Sequence, residues 1–122
     1  MAHRTVLVVE DDPVLQTLVM TMLEDAGVPA IHRANGDDAL GYLLDNPGEV
    51  AAVFTDIVMP GNMDGLHLAE IIGRHWPQID VLMTSGRVHP AQTLPHNVSF
   101  IPKPWTPDQV LSAMKHALAA NC

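Results

Sequence analysis

Val6-Leu7-Val8-Val9-Glu10-Asp11-Asp12-Pro13-Val14-Leu15 is the stretch that decides the fold. A β-branched, wholly apolar run stops at three carboxylates, and helix signals begin at once. Asp12 suits a helix N-cap and Pro13 suits the first helical position. Val14, Leu15, Leu18, Val19, Met22 and Leu23 then recur at helical spacing. A strand apolar on both faces, followed directly by an amphipathic helix, predicts a parallel sheet covered by helices.

The same unit repeats outward from that stretch. Residues 30–33 read as a short second strand, and Asn35-Gly36-Asp37 turns into a helix carrying Ala39, Leu40, Leu43 and Leu44. Asn46-Pro47-Gly48 stops it. Residues 50–55 form the third strand and run into Asp56. Asp64 suits the cap of a helix carrying Leu66, Leu68, Ile71 and Ile72, which ends before Trp76-Pro77. Residues 80–84 form the fourth strand, closed by Ser85-Gly86. Residues 98–101 form the fifth and lead into Pro102-Lys103-Pro104. The last helix begins near Thr106-Pro107 and packs through Val110, Leu111, Met114, Ala117 and Leu118. Residues 87–97 contain Pro90 and Pro95 and little periodicity, so the fourth helix is expected to be shortened, irregular or absent. The class is α/β, a doubly wound (βα)5 five-stranded parallel sheet. One domain over residues 1–122 is expected, without a second, output domain.

Composition narrows the function classes. At 122 residues and 48% hydrophobic content the chain can bury a core without staples. Its formal charge is −8, from 6 basic and 14 acidic residues, with no basic stripe. That excludes nonspecific nucleic-acid binding, which needs lysine and arginine to neutralise phosphates. The single cysteine, Cys122, allows no internal disulfide and fits a reducing compartment. With no leader pattern and no apolar run of membrane-spanning length, the expectation is a cytoplasmic protein without membrane contact. The seven histidines show no close ligand spacing, so zinc is not expected.

In a parallel sheet, ligands bind at the carboxyl ends of the strands. Glu10, Asp11 and Asp12 follow the first strand, Asp56 the third and Lys103 the fifth. Crowded carboxylates repel one another. Their convergence makes sense around a hard divalent cation, with one carboxylate doing chemistry. A mononucleotide or flavin site is disfavoured, because no P-loop or G-x-G-x-x-G is present. Asp12 and Asp64 read as caps rather than ligands, and Trp76 and Trp105 as packing residues.

Four groups of residues at strand ends resemble the receiver domain of bacterial two-component response regulators. They are Val8-Val9-Glu10-Asp11, Asp56-Ile57-Val58-Met59-Pro60 with Asp64-Gly65, Thr84-Ser85-Gly86, and Lys103-Pro104. The likeness covers essentially the whole chain and implies a flavodoxin-like fold. It implies that Asp56 accepts a phosphoryl group as a carboxylate nucleophile. It also implies Mg2+ held by Asp11 directly, by Glu10 through water, by Asp56, and by the main-chain carbonyl of Val58. Lys103 would pair with the phosphoryl oxygens. Ser85 would hydrogen-bond the phosphoryl group, with Thr84 the competing assignment. Phe100 sits where the family places a rotating aromatic switch, though an aromatic there also suits a core. The Lys103–Pro104 bond is often cis in the family.

The implied function is a phosphorylation-dependent switch with at most self-phosphorylation and self-dephosphorylation activity. It would be served by a histidine kinase or phosphotransfer protein and would signal by protein contact or phosphorelay, as a monomer or weak homodimer. Two alternatives stand beside it: a pseudo-receiver binding module that is never phosphorylated, and a receiver belonging to a hybrid histidine kinase. A phosphohydrolase with an aspartyl nucleophile usually carries a second aspartate two residues on, where this chain has Val58.

The chain departs from the family pattern in three places. Gly65 lies nine positions after Asp56, one more than the commonest spacing, with Gly61-Asn62 as the insertion. Only eighteen positions separate Ser85 from Lys103, and the shortfall falls on the fourth helix, part of the family's usual signalling face. Val58 and Arg87 occupy positions that tune water access, and together they predict slow self-dephosphorylation.

Overall fold

The computed structural model describes residues 4–59, 61, 63–86 and 94–120. Pro60, Asn62, Arg87 and Cys122 lie outside the described residues, as does most of the expected fourth helix. Residues 94–97 enter the fifth strand without helix.

Ten elements follow in chain order among the described residues. They are β1 (Thr5–Val9), α1 (Pro13–Asp25), β2 (Ala30–Arg33), α2 (Gly36–Asp45), a single 3-10 turn (Pro47–Glu49), β3 (Val50–Asp56), α3 (Gly65–His75), β4 (Asp80–Ser85), β5 (Val98–Pro102) and α4 (Pro107–Ala120). The expected helix starts are present with their chemistry. The Asp12 carboxylate accepts from the Val14 N–H at 2.9 Å, with Pro13 at the first position. Asn35 caps α2 through the Asp38 N–H at 2.8 Å, and Asp64 caps α3 through the His67 N–H at 2.8 Å. Each cap supplies an acceptor for a donor that the helix cannot satisfy internally.

All strand pairings are parallel, and the order is β2-β1-β3-β4-β5. The strand order reverses between β1 and β3, so a crevice opens at their carboxyl ends. β3, β4 and β5 each run one residue beyond the sequence expectation. The ladder continues through Asp56 opposite Thr84 and Ser85 opposite Pro102. Those final pairs pull three site candidates into the sheet.

The sheet divides the core in two. Leu7, Val9, Val53, Met83 and Val81 face α2 and α3 and pack with Leu43, Leu68 and Ile72. Val6, Val8, Phe54 and Leu82 face α1 and α4 and pack with Val19, Leu23, Val110 and Met114. Burying one such side chain fully is worth about 1.5–3 kcal/mol. The apolar positions of α1 are not all used in this way. Val19 and Leu23 are buried, but Val14 is 78% and Leu18 56% exposed. Those two residues are four apart and form a row beside the one that meets the sheet.

Candidate functional site

The carboxyl ends of β1, β3, β4 and β5 enclose one cleft. Its walls are Glu10, Asp11, Asp12, Leu15, Asp56, Val58, Ser85, Gly86 and Lys103, around a volume of about 390 Å³. The strand ends therefore do meet, as the sequence implied. Parallel pairing extends the row Val8–Phe54 to Glu10 and Asp56, which stand side by side on the face toward α1 and α4.

Asp56 ends β3 with only 11% of its side chain exposed. Its two carboxylate oxygens have different partners. Oδ2 accepts from the Lys103 ammonium at 2.6 Å, and Oδ1 accepts from the Val58 N–H at 3.2 Å. Lys103 is brought there by β5, whose ladder ends with the Lys103 N–H donating to the Ser85 carbonyl at 3.1 Å. The Lys103–Pro104 peptide is cis, as the resemblance implied. Trp105 follows and meets Phe54 edge-on, with ring centroids 5.7 Å apart and planes at 72°. Such a pair adds about 0.5–1.5 kcal/mol beyond its buried area, and it anchors the segment that carries Lys103.

Glu10 is buried, whereas Asp11 and Asp12 are exposed. The Glu10 carboxylate accepts from the Asp12 N–H at 3.0 Å, and its main-chain carbonyl accepts from His32 Nε2 at 2.8 Å. Burial raises the Glu10 carboxyl above its ordinary value of 4.5, and the nearby Asp56 charge pushes the same way. The Asp12 N–H and the Lys103 ammonium oppose that rise. The cleft thus sets four acidic residues, Glu10, Asp11, Asp12 and Asp56, against one ammonium.

Gly65 fixes the floor between β3 and α3. A Cβ there would land on the Asp56 carbonyl oxygen and crowd Ile57. The Gly65 N–H donates to the Ile57 carbonyl at 2.8 Å, so the backbones approach as closely as only glycine allows. Gly61, in the loop between β3 and α3, has a φ of +98°, a turn conformation that glycine adopts without strain.

Ser85 and Thr84 are both buried but line different spaces. Ser85 lines the cleft with Asp56 and Lys103. Thr84 lines a smaller cavity beneath it, between the sheet and α1. Phe100 is half-buried on β5, opposite Met83, and packs against the core on the α2/α3 side. Val58 stands at the lip of the cleft, 49% exposed.

Among the described residues, no group of three or more His, Cys, Asp or Glu side chains is arranged to hold a metal ion by itself. The set that fits is smaller: two or three carboxylates of the cleft, a main-chain carbonyl and solvent. All of these are hard oxygen donors, and buried Glu10 gains most from a nearby cation.

Two features of this neighbourhood escaped the sequence reading. The His32 contact to Glu10 depends on β2 lying beside β1, which no local spacing reports. The position of Thr84 beside Asp56 depends on register, although Leu82 and Thr84 two residues apart already share a face.

Known proteins share this arrangement. The response regulator receiver domain family matches residues 6–115. The chain is 34% identical to the nitrogen assimilation regulatory protein NtrX of Azorhizobium caulinodans, over 97% of this chain and 26% of that protein. It is 32% identical to the sensor kinase CckA of Brucella abortus, over 93% of this chain and 12% of that protein. The chain therefore spans about a quarter of the first relative and about an eighth of the second. A response regulator receiver protein from Sinorhizobium medicae superposes with a TM-score of 0.82 at 25% identity, covering 98% of both chains. A CheY-like receiver domain protein from Methanospirillum hungatei gives 0.83 at 21% identity, covering 98% of this chain and 97% of that one. No helix among the described residues is long and apolar enough to cross a membrane. With the sheet order, the acidic cleft and the paired lysine of one fold, this chain belongs to the response regulator receiver domain family of two-component signalling.

Proposed function

We propose that the chain is a phosphorylation switch in which Asp56 takes a phosphoryl group with Mg2+ bound beside it. The observation that carries this reading is the Asp56–Lys103 contact of 2.6 Å inside a cleft walled by Glu10, Asp11 and Ser85. One oxygen of Asp56 attacks phosphorus in line with the bond to the donor. The new bond is an acyl P–O bond. The bond that breaks is P–N when the donor is a phosphohistidine, and the departing imidazole nitrogen takes a proton. When bound, Mg2+ supplies charge neutralisation to the phosphoryl oxygens and to the carboxylates around them. Asp11, Glu10, Asp56 and the Val58 carbonyl would hold it.

Lys103 follows the charge. Before transfer its ammonium neutralises Asp56 and holds the carboxylate in place. After transfer it pairs with a phosphoryl oxygen. The Ser85 hydroxyl donates to a second phosphoryl oxygen, and Gly86 leaves room beside it. The added charge, about −1.5 to −2, draws Ser85 toward the cleft and frees the space into which Phe100 turns. The donor is a histidine kinase or phosphotransfer protein, and the signal leaves by protein contact or onward transfer. Likeness to the CckA receiver supports a second reading, a receiver belonging to a hybrid histidine kinase. Solved on its own, that receiver gives a TM-score of 0.78 at 25% identity.

Intact mass after incubation with acetyl phosphate and Mg2+ tests the chemistry. One added phosphoryl group is expected in the wild type, none in Asp56→Asn, and none after chelation of the metal. If a panel of histidine kinases also leaves the wild type unmodified, the pseudo-receiver reading replaces this one.

A further inference from the structure

Thr84 stands beside Asp56 in the sheet. The register sets Asp56 opposite Thr84 and Thr84 opposite Ile101, so these side chains share the face toward α1 and α4. Ser85 alternates away from that row. Thr84 is 3% exposed, and its Oγ1 has no hydrogen-bond partner among the described residues. A buried hydroxyl left unsatisfied costs about 1–3 kcal/mol. Nearly all such groups in folded proteins bond to protein or to ordered water.

A cavity lies against this hydroxyl. It admits the centre of a water-sized sphere over about 10 Å³, the room needed for one water molecule. Cavities that stay dry are apolar. This one is closed by Val19, Phe54 and Trp105, but Glu10, Asp56 and Thr84 also form its wall. A water there has its partners in hand. Thr84 Oγ1 is the unpartnered group that such a water would satisfy, and the acidic residues Glu10 and Asp56 line the same cavity.

We propose that this cavity is a built water site and that Thr84 is a positioning residue for the acidic pair. Through one buried water it supplies donors to Glu10 and Asp56 from beneath the cleft. The other supports of the pair are already placed: the Asp12 N–H on Glu10, and the Val58 N–H and Lys103 on Asp56. The water leaves the remaining carboxylate lone pairs aimed into the cleft, where a cation is held. The positioning role rests on the Mg2+ reading above, whereas the water site does not.

A high-resolution crystal structure of the metal-free protein is expected to show ordered density within hydrogen-bond reach of Thr84 Oγ1. In calorimetric titration, Thr84→Val is expected to weaken Mg2+ binding about 10-fold, the lower end for groups that orient metal ligands. Thr84→Ser restores the hydroxyl and most of the affinity. An empty cavity overturns the proposal whatever Mg2+ does. So does a Thr84→Val protein that binds Mg2+ like the wild type and resists denaturation better, because the hydroxyl was then merely unsatisfied. Should Thr84→Val not fold, Thr84→Ala reads the same loss. A wild type that binds no Mg2+ overturns both the proposed function and the positioning role, and crystal density alone then decides the water site.

Discussion

The Glu10 carboxylate gives up its water on folding and stands beside the Asp56 charge. Its folded value lies above 4.5, so between 4.5 and that raised value the folded protein binds a proton the unfolded chain has released. Stability therefore falls as pH rises through this window, and the penalty is absent below it. In metal-free buffer, Glu10→Gln is expected to be more stable than the wild type at pH 7. The two should converge as pH drops below 4.5, and urea denaturation across pH reads this. Val58 carries a second expectation at this scale. With an apolar side chain at the lip, water near an acyl phosphate on Asp56 finds no hydrogen-bonding side chain at position 58. Val58→Asn adds about one hydrogen bond, near 1 kcal/mol, or roughly a 5-fold faster loss of phosphate. Equal phospho-lifetimes would reject it. Asp56, Lys103 and the acidic pair were legible in the sequence because packing has no use for charges crowded at the ends of apolar strands, whereas a ligand does. That Thr84 Oγ1 lacks a protein partner among the described residues was not legible, since it depends on what neighbouring strands and α1 place around one oxygen.

Helix α1 shows where periodicity stops informing. Seven apolar residues recur along it after Pro13; Val19 and Leu23 are buried, and Met20 and Met22 pack at the edge of the same core. Val14 and Leu18 remain outside, and Leu15 and Leu18 line a groove with Pro104 and Trp105 next to Lys103. On the proposed reading, that apolar rim beside Lys103 is a contact surface for the protein donor. Leu18→Lys is expected to slow phosphotransfer from a cognate histidine kinase. The loss of one well-buried interface anchor is about 1–2 kcal/mol, or roughly 5–30-fold. Self-phosphorylation by acetyl phosphate should be unchanged, because Leu18 does not line the cleft. Equal loss with both donors would assign the effect to folding instead. The strands and caps were readable from sequence because their signals are local: a β-branched run, or an Asp or Asn oxygen two or three residues before a backbone donor. Which side of a helix is covered depends on how the helix lies on its neighbours. The fourth-helix expectation falls on residues outside those described.

At the scale of the whole molecule, 14 acidic residues outnumber 6 basic ones, and four of the acids line one cleft. Folding therefore works against local repulsion that a divalent cation relieves. Mg2+ at 100 times its dissociation constant is expected to stabilise the fold by about 2.7 kcal/mol. Thermal melts with and without chelator measure the shift, and most of it should vanish in a variant lacking the Asp11 and Asp56 charges. The alternation of five strands with the four described helices was legible because the strands read as apolar on both faces and helix starts follow them with their own signals. The crossing between β1 and β3, which places the crevice, followed from topology rules for parallel sheets and not from any single residue. That topology has a practical corollary. The acidic residues of the cleft and Lys103 sit at one end of the sheet, while the 3-10 turn Pro47–Glu49 lies at the start of β3, at the other. Gly48 in that turn is exposed, and a Cβ there would meet nothing within 4 Å. A fluorescent reporter spliced in at Gly48 would stand at the opposite end of β3 from Asp56, leaving the cleft open to whatever ligand it takes.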